Sequence, residues 1–365
     1  MASRHPPKIG FIFCPNALHR LDGHPEQPGR VSCARKYLRA RFPDIPAFEM
    51  APYSDGEVVA FILDPSRGRK PPVYGRAHLE MVRAGFSERE MHSAYSVGEP
   101  SYRACLDVCR CLMTMCGLVR RGVIDHAVNV VRPPGHHCCN KRPAGFCLVN
   151  LAVLAAHALL ASYGKIPIYD YDLHHGDGTQ RHTYNDPDIM YVSQHNKNAW
   201  KGDFSIGYEG EWGGPDAPLT NVNFPMPGQS CDRDYLWTGL ALCDLMARFA
   251  SRGGVRSPLV VVSAGFDAHR REMAVAGGDR TKSMRLTSTG YGQLAKLLVG
   301  RFERVFLVLE GGYDETAIAE SLAETVDALL GNVKPIVIDT SEVHGDAKRL
   351  VDNLARAERR RGPPD

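Results

Sequence analysis

No stretch of this 365-residue chain is apolar for long enough to cross a membrane, and its polar, proline-bearing start, Met1 to Lys8, lacks the apolar core of a secretion signal. Both absences lead to the expectation of an intracellular protein, neither secreted nor held in a membrane. An excess of charge of one sign is lacking too. Lys and Arg number 44 against 41 Asp and Glu, a net charge of +3, so no strong field is available to grip a nucleic-acid backbone directly. No repeat-length period recurs, and neither a Gly-x-Ser-x-Gly elbow nor a glycine loop of P-loop spacing occurs, which disfavours serine-nucleophile and nucleotide chemistry. A disulfide framework is also missing: the 11 cysteines are odd in number and scattered, and read as thiols of a reducing compartment. Cys105, Cys109 and Cys116 share a helical face with Leu112 and Met113 and read as core, and Cys138-Cys139 as buried thiols rather than a redox-sensitive spot.

What is present is a 44% hydrophobic composition, enough for a large interior, with no compositional break that forces a second domain. Near-continuous apolar runs occur at Lys8 to Cys14, Asp125 to Val131, Ile166 to Asp170, Ile189 to Ser193, Pro258 to Ala264 and Val305 to Leu309. Helical patterns lie between them, at Val31 to Arg41, Ser101 to about Gly122, Val149 to Ser162, Asp232 to Arg252 and Thr316 to Leu330. Strands that are apolar throughout, alternating with helices, predict an α/β domain with a parallel sheet covered on both faces. Ala51 to Pro72 reads as loop with a short helix, and the Gly- and Pro-rich stretch up to Pro227 as a loop forming a cleft wall. The charged end, Lys348 to Asp365, reads as a frayed tail in which Arg359 to Arg361 form a solvated helix end rather than an address.

The chemistry gathers where strands end, the edge at which open parallel sheets bind ligands. Ile166 to Gln180 runs from an apolar strand into Asp170, Asp172, His174 and Asp177. If the chain stays extended through His174, then Asp170, Asp172 and His174 leave one face. Alone, such a cluster is as readily a set of turn formers and caps. Asp267, ending another strand, supplies the third ligand of a zinc site with Asp172 and His174. Two carboxylates and one imidazole leave the metal nearly neutral, so a neighbouring base is required. His136 and His137 end a further strand and are candidates to move that proton, with Asp170 and Asp177 available to fix their tautomers. Tyr313, beyond Gly311-Gly312, is either a hydroxyl donor to a developing oxyanion or an aromatic plug; beside a metal site the catalytic role is preferred. Together these parts specify metal-assisted hydrolysis of a small acyl amide on an amine.

Arg132-Pro-Pro-Gly-His-His, Gly145-Phe-Cys, Asp170-Tyr-Asp-Leu-His-His-Gly-Asp-Gly-Thr-Gln, Ser263-Ala-Gly-Phe-Asp and Leu309-Glu-Gly-Gly-Tyr resemble, in order and spacing, the zinc-dependent histone deacetylase family, from about Lys8 to Leu330. The resemblance implies a single arginase-like domain with an eight-stranded parallel sheet, spanning 1–335, ahead of a charged tail at 336–365. It implies Zn2+ on Asp172, His174 and Asp267, and His136 and His137 as acid/base pair, backed by Asp170 and Asp177, with His137 favoured as base. Tyr313 would polarise the carbonyl. A potassium ion would use Asp170, Ser193 and main-chain oxygens of Asp172 and His174. Gly145 and Phe146 would wall an acyl-lysine tunnel opposite Phe204, with Trp200 in reserve. Ser96 stands where one branch of the family carries a substrate-gripping aspartate, and His269 to Leu286 replaces a short turn after Asp267. The branch features are mixed: His24 to Arg30 and Glu310 to Tyr313 resemble class II, Gly176-Asp177-Gly class I.

By the same resemblance the substrate is an acetylated lysine of a histone or another protein, corepressor-type proteins are possible partners, hydroxamate-type inhibitors bind the zinc, and the setting is nucleus and/or cytoplasm in chromatin regulation. The alternatives are an acetylpolyamine or other small-amide amidohydrolase, and a scaffold that only binds acyl-lysine.

Overall fold

A computed structural model describes residues 6–19, 24–90, 93–140, 142–199, 206–254, 258–274, 279–334 and 338–361, with the side chains of 86–90, 93–96, 273–274 and 361 outside that description. The elements run β1 (Ile9–Cys14), α1 (Gly29–Arg41), β2 (Ala47–Phe48), α2 (Asp55–Leu63), α3 (Arg76–Ala84), β3 (Phe86–Glu90), β4 (Ser93–Val97), α4 (Glu99–Arg120) and β5 (His126–Val131). They continue with α5 (Leu151–Tyr163), β6 (Ile166–Asp170), α6 (Asp177–Thr183), β7 (Ile189–Asn196), β8 (Asn221–Met226), α7 (Asp232–Ser251), β9 (Leu259–Ala264), α8 (Ser288–Val299), β10 (Arg304–Leu309), α9 (Glu315–Leu329) and α10 (Gly345–Arg361). Eight strands form one sheet in the order β2-β1-β5-β10-β9-β6-β7-β8, and every pairing in it is parallel. This is the expected arginase-like α/β architecture.

The sheet explains the apolar runs. Helices cover both faces, so β5, β6, β7 and β9 are buried at every position and no alternation survives. One core layer joins Phe11, Val128, Val262 and Leu307 to α1, α7, α8 and α9; the other joins Ile12, Val131, Ile168 and Val261 to α4 and α5. Cys105, Cys109 and Cys116 are buried on α4, and the 11 cysteines all carry free thiols.

Two expectations change, and some elements appear that none of the expectations covered. The stretch ahead of Pro227 contains a structured edge strand: β8 pairs with β7 from Tyr191↔Asn221 to Asn196↔Met226, in a short run that alternates Asn with Val and Phe where the central strands are apolar throughout. The charged end is not frayed as far as Arg361, because α10 buries Ala347, Leu350 and Leu354 against the core that α7 also lines. Those positions recur at helical spacing, and the surrounding charges form the solvent face. The 85–97 region also forms a separate antiparallel hairpin of β3 and β4, which holds Ser96 at register Ser87↔Ser96. The helices α3, α6 and α8 were not anticipated either.

Candidate metal centre

All strands of the sheet point the same way, so the residues that follow β5, β6, β9 and β10 meet at one edge. The strand β6 stops at Asp170 rather than continuing to His174, and convergence there is produced by turns. The Asp172 amide donates to Asp170 Oδ1 at 3.1 Å, and the His174 amide to Asp172 Oδ1 at 2.9 Å, each carboxylate bonding the amide two residues on. Asp267 arrives from the end of β9. Ligand atoms of Asp172, His174 and Asp267 all lie within 4.8 Å of one another.

The geometry of this triad suits a divalent cation. His174 Nδ1 is 3.0 Å from Asp267 Oδ2 and 3.3 Å from Asp172 Oδ1. The far oxygens are held by backbone: Gly311 N–H donates to Asp172 Oδ2 and Leu173 N–H to Asp267 Oδ1, both at 2.8 Å. Two buried carboxylates so close demand positive charge between them, supplied by a proton on His174 or by a metal ion. Burial disfavours a charged His174, yet Asp172 and Asp267 raise its pKa to about 10. Burial and Asp172 lift Asp267 to about 6. Burial opposes ionisation of Asp172 as well, but His136 and His174 hold its carboxyl below the usual range. Glycines make room: a Cβ on Gly265 would lie 2.0 Å from Asp172 Oδ2, and one on Gly311 2.5 Å from the same atom.

Behind the triad stand the two histidines. His136 Nδ1 is 3.1 Å from Asp170 Oδ2, His137 Nδ1 is 2.7 Å from Asp177 Oδ1, and the two rings are 4.1 Å apart. Their environments push them in opposite directions. Burial opposes charge on His136, but Asp172 and Asp170 outweigh it and raise its pKa well above the ordinary value. Burial and the neighbouring His136 lower His137 to about 4, against the pull of Asp177. One ring is thus disposed to hold a proton and the other to accept one.

Asp170 is fully buried and also accepts from Tyr191 Oη at 3.0 Å. Sheet register sets it opposite Ser193, whose hydroxyl lies 2.9 Å from His195 Nδ1, so the two side-chain oxygens of the expected potassium set sit on adjacent strands. Such hard oxygen donors suit a hard cation.

Tyr313 follows Gly312, whose φ of +106° only glycine adopts freely. Burial, then Asp267, raise the phenol pKa well above its ordinary value, so the hydroxyl keeps its proton. Gly145 and Phe146, both at positive φ, form the tip of a turn closed by Cys147 N–H donating to Ala144 O at 2.9 Å. A Cβ on Gly145 would lie 2.3 Å from His137 Cδ2, which is why glycine stands there. The Phe146 ring packs 3.9 Å from His24, and His24 stands edge-on to Tyr313 at 6.4 Å, so these three rings form one flank. Phe204 and Trp200 lie outside the described residues, as does the side chain of Ser96.

Several residues of the site were not singled out individually: His24, Glu26, Arg30, Tyr191, Glu272 and Glu310. Arg132 Nη2 meets Glu26 Oε2 at 2.6 Å, Arg30 Nη1 meets Glu26 Oε1 at 3.0 Å, and all three residues are buried. Glu310 Oε2 accepts from the Gly135 and His136 amides at 2.7 and 3.0 Å. The signal for the first three was a charged segment, His24 to Arg30, whose ends face a distant turn.

Fold and donor set together define an arginase-like α/β domain with a candidate metal centre at the carboxyl edge of its sheet. The profile of the Histone deacetylase domain matches residues 24–329, most of the chain, and the chain belongs to the histone deacetylase family. It is 28% identical over 363 residues to Histone deacetylase HDA1 of Candida albicans, covering 92% of this chain and 41% of that protein. It is 30% identical over 347 residues to Histone deacetylase clr3 of Schizosaccharomyces pombe, covering 89% of this chain and 48% of that protein. A match to human Histone deacetylase 9 is 34% identical over 243 residues, 63% of this chain and 22% of the relative. The chain therefore spans less than half the length of these relatives. The crystal structure of the HDA15 HD domain superposes with a TM-score of 0.77 over 97% of this chain and 95% of that one, at 24% identity, a likeness of fold.

Proposed function

We propose that this chain is a zinc-dependent lysine deacetylase, an amide hydrolase that removes acetyl groups from lysine side chains of histones or other proteins. The observation that supports this best is the convergence of Asp172, His174 and Asp267 within 4.8 Å of one another, beside a histidine pair whose affinities for protons are split. Bound by these three side chains, zinc would supply a Lewis acid that polarises the acyl carbonyl and acidifies water. The chain's own groups do the rest. His137, held by Asp177 through Nδ1, is the base that takes a proton from the attacking water, and His136, backed by Asp170, returns one to the leaving amine. Tyr313 donates its hydroxyl to the carbonyl oxygen as negative charge develops there. The His24 and Phe146 rings give the acyl-lysine stem an apolar flank that excludes water.

In this reading Asp170, Ser193 and main-chain oxygens of Asp172 and His174 would hold a structural potassium ion beside the loop that carries two of the metal ligands. Acetylated protein is the substrate, hydroxamates compete for the metal, corepressor-type proteins are candidate partners, and the nucleus and/or cytoplasm is the setting. Acetate release from acetyl-lysine peptides, compared with acetylspermidine, tests the proposal. The expected result is turnover of the peptide that is lost on chelation, restored by zinc and absent in Asp267→Ala. Turnover of acetylspermidine alone would move the assignment to small amides. No turnover of any acyl-lysine by zinc-loaded protein would overturn it.

A further inference from the structure

The turn that carries Tyr313 is held from outside at nearly every backbone polar group. Arg30 supports it on the carbonyl side, donating through Nη2 to Glu310 O and through Nε to Gly312 O. Gly311 N–H donates to Asp172 Oδ2 at 2.8 Å, Gly311 O accepts from Phe266 N–H at 3.0 Å, and Glu310 N–H donates to Ala264 O at 3.0 Å. Two further amides of the turn, those of Tyr313 and Asp314, share one acceptor. Both donate to a single atom, Glu272 Oε1, at 2.6 Å each.

Glu272 comes from the segment that follows Asp267 and departs from the short turn of the wider family. It is 3% exposed, within a 3-10 turn over Arg270–Ala274, anchored by Arg270 N–H to Leu286 O and Glu272 N–H to His269 O, both at 2.9 Å. Its second oxygen, Oε2, is buried with no hydrogen-bond partner among the described residues. A buried carboxylate that used its charge would pair both oxygens. Here one oxygen does all the bonding, and burial raises the pKa of the group to about 7. Shape and one acceptor, rather than charge, are what the site takes from this side chain.

We infer that Glu272 is a positioning residue for Tyr313: Oε1 bridges the Tyr313 and Asp314 amides and so fixes the direction in which the phenol leaves the flexible Gly-Gly turn. Asp314 is itself tied down, since its side chain caps α9 by accepting from Ala317 N–H at 2.7 Å. The clamp therefore joins the turn to a rigid helix. The inference rests on the reading of Tyr313 as the hydroxyl donor in deacetylation.

The test uses the full chain, loaded with zinc, as Glu272→Leu, Glu272→Gln and Glu272→Asp, each also combined with Tyr313→Phe. Hydrogen exchange of the Tyr313 and Asp314 amides is read by mass spectrometry, and kcat and KM are measured on an acetyl-lysine peptide. Glu272→Leu is expected to speed exchange at both amides and to lower kcat about tenfold to hundredfold with KM nearly unchanged, the scale of a misplaced catalytic group. Glu272→Gln keeps a carbonyl oxygen at the same reach and is expected to match the unmodified protein in both measurements. In the Tyr313→Phe background, Glu272→Leu is expected to add less than about a twofold loss, because residues acting as a unit are not additive.

Unchanged kcat in Glu272→Leu, an equal loss in Glu272→Gln, or full additivity with Tyr313→Phe would each overturn the inference. Should Glu272→Leu fail to fold, the Glu272→Asp and Glu272→Gln pair decides. The shortened side chain is expected to release the amides and lower kcat while the isosteric one does neither, and equal behaviour of the two overturns the clamp. If the unmodified protein turns over no acyl-lysine, the functional reading fails by itself, while exchange at the two amides still reports whether the clamp exists.

Discussion

Two loops at the carboxyl edge of the sheet meet at the same site but are stabilised in different ways. The loop after β6 bonds largely to itself: Asp170 accepts from the Asp172 amide, Asp172 from the His174 amide, and His175 O from the Asp177 amide. The turn after β10 has little such self-support and depends on Arg30, Asp172, Phe266 and Glu272, which come from other elements. A self-bonded loop can be recognised as a motif, since its partners are two residues apart. The supports of an externally held turn cannot be recognised in that way, even where the turn itself can, since they lie up to 282 residues away.

The largest expected effect comes where the self-bonded loop stops being sufficient. Asp267 arrives from β9, and Asp267→Ala, or removal of metal by a chelator, is expected to reduce acetyl-lysine hydrolysis to the uncatalysed background. Zinc should restore the chelated protein but not the variant. Retained activity in either case would mean that the loop after β6 works without its distant third ligand.

Next is the hydroxyl on the externally held turn. Tyr313→Phe removes one hydrogen-bond donor and is expected to lower kcat by roughly 10²- to 10³-fold with KM little changed, the usual scale for an oxyanion donor. A change confined to KM would make Tyr313 a wall of the pocket, the plug reading, rather than a participant in the reaction.

A smaller effect on turnover, but a large one on stability, is expected at the base of the external support. Glu26 is fully buried between Arg132 and Arg30. Burial favours its neutral form, but the two arginines outweigh burial and keep its pKa below the ordinary 4.5. A depressed carboxylate contributes stability that is present above its unfolded pKa and lost as pH falls through the folded one. Glu26→Gln should therefore destabilise the fold at neutral pH, by about 3–5 kcal/mol for a buried pair left with one partner. It should also flatten the loss of stability below about pH 4.5. Urea unfolding at pH 7 and pH 4 measures both, and an unchanged midpoint at pH 7 would show that the fold does not depend on Glu26 between the two arginines.

This contrast also accounts for what was legible in the sequence. The parallel sheet could be read because both faces are covered, which leaves β5, β9 and β10 as near-continuous apolar runs. The strand β8 was not, because Asn221, Asn223 and Pro225 alternate with Val222, Phe224 and Met226 instead of forming a continuous apolar run, and the segment closes a Gly- and Pro-rich stretch that reads as loop. The helix α10 was hidden by its charges, although Ala347, Leu350 and Leu354 keep helical spacing. At the site, residues that end strands were recognisable from position alone. His24, Arg30 and Glu272 were not, because their importance comes from contacts with Phe146, Gly312 and Tyr313 that only the folded chain creates.

The smallest expected effect lies in the histidine pair and reads as a shift along the pH axis. His137 sits near 4 because burial and His136 outweigh the pull of Asp177. Asp177 is a contribution that favours the charged ring, so removing its charge must lower the pKa further. In Asp177→Asn the acidic limb of the kcat/KM profile should accordingly move to lower pH, with His137 remaining neutral over a wider range. The plateau should also fall, by roughly tenfold to hundredfold, because a carboxylate that orients a histidine and raises its basicity is lost. Asp170→Asn should not reproduce this limb shift if His137 is the base, since Asp170 pairs with His136. A limb that moved for Asp170→Asn and stayed fixed for Asp177→Asn would exchange the roles of the two rings, because the group titrating in that limb would then be the one backed by the loop after β6 rather than by the start of α6.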